Sequence, residues 1–406
     1  MASSPPEPTR DTITRAGRFA TQPTGYRAFI PNPLPPEPPL EIDSKLLLLL
    51  SHADLAVGRL DGIAQNVPDP DRFVAMYVNR EAVLSSQIEG TQSTLEDLLA
   101  AGLDGNASRV PADVDEIVNY VAAMNYGLER LATLPVSLRL IREIHSRLLR
   151  GTRGAQRTLG EFRTTQNWIG PPGAPIAAAT FVPPPTPDMG HALDRFEKFL
   201  HAAPELPPLI EVGLVHAQFE TIHPFLDGNG RVGRLLIAFL LVHKGVLRQP
   251  LLYLSHYFKL HRAEYYDRLM AIRLDGDWEG WLRFFLRGVA ETAVEARSTA
   301  QRISDLRERH RQLIVSEGIA SNGLVLLALL YRRPIVNVRL VARELGMTFQ
   351  TANVLVRRVE ALGILQETTG ARRNRTFRYG PYLEFFADPV GTPTGADEVV
   401  ATVAQT

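Results

Sequence analysis

Twelve consecutive residues, His223-Pro-Phe-Leu-Asp-Gly-Asn-Gly-Arg-Val-Gly-Arg234, gather a histidine, an aspartate, three glycines and two arginines. Glycines let backbone N–H groups approach an anion closely, and a helix beginning just after them turns its positive end toward that anion. Arg231 and Arg234 are three apart at the start of such a helix, so both can face one side and hold phosphate oxygens in bidentate fashion. Asp227 offers a hard oxygen ligand for Mg²⁺, which takes only one or two carboxylates and completes its shell with phosphates and water. His223, followed by Pro224 and expected to titrate near neutrality, suits a general base. Taken singly, the histidine reads as a helix-end residue and the aspartate as turn chemistry. Together they read as a phosphate site. Gly228, Gly230 and Gly233 do satisfy the dinucleotide fingerprint G-x-G-x-x-G, but it requires a preceding strand and an acidic residue about 20 positions on. No Asp or Glu occurs between Asp227 and Glu264, and no Lys-Ser or Lys-Thr follows the glycines, which excludes Rossmann and P-loop readings.

The loop is flanked by apolar helical patterns, Pro207 to Ile222 and Val232 to Val242, giving a helix, loop, helix unit. From about 41 to 315 the chain is mostly amphipathic helix, as in Ile117 to Leu131 and Leu138 to Leu149. One segment breaks the pattern. Glu161 to Val182 carries FRTTQNWIG, the turn-rich PPGAP and then ATFV, which predicts a short β-hairpin, a flap closed by Pro183 to Pro185. Residues 1–40 are rich in proline and predict an extended arm; 41–132 form an N-terminal helical region, 133–315 the main helical core, and 387–406 a disordered tail. Forty-four basic residues balance 44 acidic ones, so global charge favours neither nucleic acid nor anionic membrane, and with no cysteine disulfides are excluded. The apolar runs are too short to cross a bilayer and the N-terminus lacks a signal-like apolar region, so a cytoplasmic location is expected.

The segment 321–385 changes character. Between 321 and 380 there are ten arginines and no lysine against three acids. Residues 338–365 predict a helix, a turn at Gly346 and a second helix with Gln350, Thr351, Asn353 and Arg357 on polar positions, and QETTGARRNRTFRY resembles the hairpin of a winged-helix domain. DNA binding would place Gln350, Asn353 and Arg357 on base edges and Arg372, Arg373 and Arg375 on phosphates. The alternative is a dimerisation or protein-docking module, because local charge supplies nonspecific affinity without proving a site.

The loop resembles the signature of Fic-domain proteins, H-P-F-x-[D/E]-G-N-G-R-x-x-R, at every specified position. GYRAFIPNPLPP, LSSQIEGTQSTLEDLL, GEFRTTQNWIG with FVPPP, and HRAEYYDRL extend the resemblance over most of residues 15–385. The resemblance implies a mainly α fold, a Fic-type helical bundle with a short β-hairpin flap, plus the small C-terminal winged-helix domain. It also implies transfer of AMP from ATP to a Ser, Thr or Tyr hydroxyl of a protein target or of the protein itself. In that scheme His223 is the base, Asp227 holds Mg²⁺, Gly228, Asn229 and Gly230 fix the α-phosphate, and Arg231 and Arg234 anchor the outer phosphates. Asn167, Trp168 and Ile169 of the flap would hold the target by strand addition. Ser85, Glu89 and Gly90 resemble the family's inhibitory motif, on a helix spanning about 80–90, with Glu89 pairing with Arg234. The same carboxylate could instead serve the reverse reaction, and the other reading of the whole is a DNA-binding regulator that senses nucleotide. By analogy the protein would be a homodimer.

Overall fold

The structure, a computed structural model, describes residues 13–64, 70–101, 103, 111, 113–151, 158–171, 173–371 and 374–387. The chain divides into two compact units, Met1–Ser304 and Asp305–Thr406.

The first unit opens with an antiparallel meander, β1 (Ile13–Thr14), β2 (Gly17–Thr21) and β3 (Arg27–Pro31), in which Phe19 pairs with Phe29. The region expected as an extended arm is therefore a small sheet over 13–31, because β3 finds a further partner: Phe29 N–H donates to Val182 O at 2.9 Å. Helices follow as α1 (Ser44–Ala64), α2 (Pro70–Ile88), α3 (Leu95–Ala101), α4 (Val114–Arg130), α5 (Leu138–Leu148), α6 (Thr186–His201), α7 (Pro208–Ile222), α8 (Asn229–His243), α9 (Ser255–Leu260), α10 (Arg262–Asp275) and α11 (Trp278–Ser316), whose residues from Asp305 on belong to the second unit. Helix α5 shows why such segments fold: Leu140, Ile141, Ile144, His145 and Leu148 form one buried stripe, and the Ser137 hydroxyl caps the N-terminus by accepting from Leu140 N–H. Helix α7 is buried on all sides from Leu209 to Ile222 and packs along α8, so the centre of this unit is the helix pair that carries the loop. Trp281 of α11 donates its indole N–H to Gly213 O at 2.8 Å, pinning α7 from behind. The flap between 161 and 182 carries an antiparallel bridge, Ile169 with Phe181, and a 3₁₀ turn at Ile176–Ala178.

The second unit runs α12 (Ala320–Arg332), β4 (Ile335–Asn337), α13 (Val338–Leu345), α14 (Phe349–Ala361), β5 (Gln366–Glu367), β6 (Thr376–Arg378) and the short α15 (Gly380–Leu383). Its sheet order is β4-β6-β5. Asn337 and Thr348 cap α13 and α14 with their side chains, and Gly346 ends α13 at φ 64°, which is the turn expected there. Tyr331, Tyr379, Tyr382 and Phe386 build an aromatic core.

Candidate active site

Helix α7 stops at His223, whose φ of 48° lies in the left-handed region and whose successor, Pro224, has no N–H to continue the helix. The loop is closed by Asn229. Its Oδ1 accepts from Phe225 N–H at 2.8 Å and its Nδ2 donates to Phe225 O at 2.8 Å, so this buried amide clasps the loop from within. The expected contact with an α-phosphate would have to use the second Nδ2 hydrogen. Phe225 is fully buried and stacks on His145 with ring centroids 3.7 Å apart. The Nδ1 of His145 accepts from Gly160 N–H at 3.0 Å, which leaves Nε2–H to donate to Asp227 O at 3.1 Å. Burial holds His145 neutral, with its pKa down at about 4.

Gly228, at φ 77°, takes the cap position of α8, and its N–H donates to Asp227 Oδ1 at 2.7 Å. The first turn of α8 is crowded by two carboxylates. A Cβ at Gly230 would overlap Oε1 of Glu89, and a Cβ at Gly233 would overlap Oε1 of Glu220. Glycine is required at both positions for close approach, and one acidic group already rests at the positive end of the helix.

Both arginines have partners. Arg234 Nη2 donates to Glu89 Oε1 at 2.6 Å and to Ser85 O at 3.0 Å, while its Nε donates to Ser85 Oγ at 2.8 Å. Desolvation alone would raise the Glu89 carboxyl, but the Arg234 charge and hydrogen bond, with the nearby Arg231 charge, together outweigh it and hold the group below its usual range. Gly90 follows at φ 104° and turns the chain out of α2. Arg231 points elsewhere: Nη1 meets Glu116 Oε2 at 3.2 Å and Nη2 meets Asp227 Oδ1 at 3.7 Å. The two guanidiniums therefore do not share one partner, although both begin on the same helix turn.

His223 differs from the expectation of near-neutral titration. Burial, with the charges of Arg273 and Arg163, pushes its pKa down to about 3, so the imidazole is neutral at physiological pH. Its Nδ1 has no hydrogen-bond partner among the described residues. A neutral imidazole is the form that accepts a proton. In the flap, Asn167 Nδ2 donates to Phe225 O at 2.8 Å, Trp168 is 43% exposed with its indole bonded to Ala174 O, and Ile169 forms the bridge.

Several residues here escaped the sequence reading: Glu116, His145, Arg163, Glu220, Tyr266 and Arg273. Burial raises the Glu220 carboxyl to about 7, and Arg273, stacked 3.6 Å over the Phe181 ring, donates to Glu220 O and Thr221 Oγ1. Tyr266, 40% exposed, has a phenol raised by burial and then by the Glu89 charge. The signal for Glu220 was a charged residue inside an apolar helix pattern, which a buried helix tolerates only with a reason.

In the second unit, Gln350 and Arg357 are exposed on α14. Asn353 accepts from Arg375 Nη2 at 3.2 Å, so these two expected DNA contacts are paired with each other. Arg372 and Arg373 lie outside the described residues.

A helical bundle that presents a glycine-cradled helix N-terminus between a histidine and two arginines has the chemistry to receive a phosphate group. Residues 47–129 match the Fic/DOC family N-terminal region and residues 135–241 match the Fic/DOC family. Over these two segments the chain carries the Fic/DOC domain pair. It is 32% identical over 205 residues to the protein adenylyltransferase Fic of Culex quinquefasciatus, covering 50% of this chain and 36% of the relative. The corresponding protein of Drosophila grimshawi is 32% identical over 204 residues, covering 50% of this chain and 37% of the relative. The matched part is thus well under half of those relatives. A Fic family protein from Desulfovibrio desulfuricans G20 shares the fold at a TM-score of 0.55 and 20% identity, covering 84% of this chain and 97% of that one. Among the described residues no helix is long and apolar enough to cross a membrane.

Proposed function

We propose that this protein transfers AMP from ATP to a Ser, Thr or Tyr hydroxyl of a protein, and that Glu89 holds the resting site in check. One observation carries the reading: the Glu89 carboxylate lies against the first turn of α8 while paired with Arg234, where a phosphate of ATP would bind. The relatives named adenylyltransferases support it. In the reaction the target hydroxyl oxygen bonds to the α-phosphorus, the bond from that phosphorus to the bridging oxygen breaks, and pyrophosphate leaves with the electron pair. His223 takes the hydroxyl proton. The main-chain amides at the start of α8, with Arg231 and Arg234 once released, hold the phosphate oxygens. Tyr266 offers an exposed ring beside the Glu89–Arg234 pair for a base to stack on. Mg²⁺ would neutralise phosphate charge, and Asp227, whose side chain is 41% exposed, is the residue to hold it. Among the described residues no group of three or more metal-type side chains is present, which suits a magnesium held mainly by phosphate and water.

The test uses ATP labelled at the α or γ phosphate with wild-type, Glu89→Gly and Glu89→Gly/His223→Ala protein. Label from the α position only, stronger in Glu89→Gly and absent in the double variant, supports the reading. Label from the γ position refutes it.

For the second unit we read duplex DNA as the ligand, supported by the arginine excess of residues 321–380 and by exposed Gln350 and Arg357 on α14. Anisotropy of a labelled duplex should rise in low salt and fall steeply as salt increases. No rise in low salt would leave protein docking as the role of this unit.

A further inference from the structure

Arg163 is 2% exposed, and among the described residues no carboxylate is paired with it. Burial lowers its pKa to about 10, yet it remains charged at physiological pH. A buried cation without a counter-ion is costly, and its donors are spent on main-chain carbonyls. Nε donates to His223 O at 3.1 Å, Nη1 to Thr165 O at 3.3 Å and Nη2 to Pro184 O at 2.6 Å. Its own N–H donates to Pro224 O at 2.9 Å. One side chain thus joins the left-handed His223 to both arms of the flap, Thr165 before the Ile169–Phe181 bridge and Pro184 after it. A planar guanidinium with five fixed donors can bind three carbonyls in different directions at once, and lysine cannot.

We infer that Arg163 is a positioning residue that fixes the catalytic histidine relative to the segment that receives the target. The inference rests on the AMP-transfer reading. Among the described residues no hydrogen bond joins Arg163 to Arg231 or Arg234, so nucleotide affinity should survive its loss. What changes is the placement of the His223 ring and the reach of a hydroxyl presented by the flap. Arg163 is also one of the charges that lower the His223 pKa. Removing it should raise that pKa, which gives a readout independent of turnover.

The experiment compares Arg163→Lys and Arg163→Gln, each in the Glu89→Gly background and with full-length protein. ATP affinity is measured by calorimetry, kcat and KM with α-labelled ATP, and the His223 imidazole titration by NMR. ATP affinity should stay within about twofold while kcat falls about a hundredfold in Arg163→Gln and about tenfold in Arg163→Lys. The His223 titration should move up in Arg163→Gln and less in Arg163→Lys. Unchanged kcat per nucleotide-binding site, or an unchanged His223 titration in a folded variant, would overturn the assignment. If Glu89→Gly with Arg163 intact transfers no label, the parent reading has failed, and the NMR titration alone decides the role of Arg163.

Discussion

At the scale of single residues, the site depends on neutral imidazoles and on polar side chains that spend themselves on backbone. Because burial holds His223 at about 3, the proposed base is already deprotonated through the physiological range. The pH profile of kcat for Glu89→Gly should therefore show no acid limb attributable to histidine between about pH 5 and 8. A limb near the ordinary histidine value would show that release of Glu89 exposes the ring to water. Asn229 makes two buried hydrogen bonds to Phe225, so Asn229→Ala should cost about 2 kcal/mol in a urea melt, besides lowering activity. If Asn229 served only the phosphate, ATP affinity would drop with stability unchanged.

At the scale of elements, α2 is a structural helix that also leads into Glu89, the proposed check on the site. Ser85 lies in its last turn and Glu89 directly follows its end, and both converge on Arg234, while Glu81, one turn before Ser85, is buried and accepts from Ser255 Oγ at 2.5 Å and Tyr120 OH at 3.1 Å. Burial raises the Glu81 carboxyl to about 7 from 4.5. The native state therefore holds a proton that the unfolded chain has lost. This stabilising contribution is complete below pH 4.5 and is lost as pH rises toward 7. Glu81→Gln should remove that slope, stabilising the protein by about 3 kcal/mol at most near pH 8 and by little at pH 5. Thermal melts at the two pH values measure it. Equal effects at both would mean Glu81 is ionised in the native state. The meander is a second element with a use beyond its own sheet, since Phe29 N–H bonds Val182 O and Gln218 donates to Asn32 O, bracing the return arm of the flap against α7.

At the scale of the whole chain, the two units have separate cores: α7 and α8 at the centre of the first, and the tyrosine cluster around Tyr379 in the second. Calorimetry of the Glu89→Gly protein should show two transitions, with ATP and Mg²⁺ raising only the one that belongs to Met1–Ser304. A single transition shifted as a whole would show that the units unfold together.

The sequence by itself determined the local features. The loop from His223 to Arg234 was legible because glycine spacing, the two arginines and Asp227 are contiguous, and the α7–loop–α8 order follows from flanking apolar periodicity. The Glu89–Arg234 pair was legible only through resemblance, since 145 residues separate the partners. Fold decided the rest. No spacing rule brings Glu116 to Arg231, Arg163 to the His223 carbonyl or His145 to Phe225, because each contact is made by a helix or flap packed from a distant part of the chain. The His223 pKa was misjudged for the same reason. Residue type sets the starting value, but burial and the neighbouring charges of Arg273 and Arg163, which only tertiary packing supplies, set the protonation state in the folded protein.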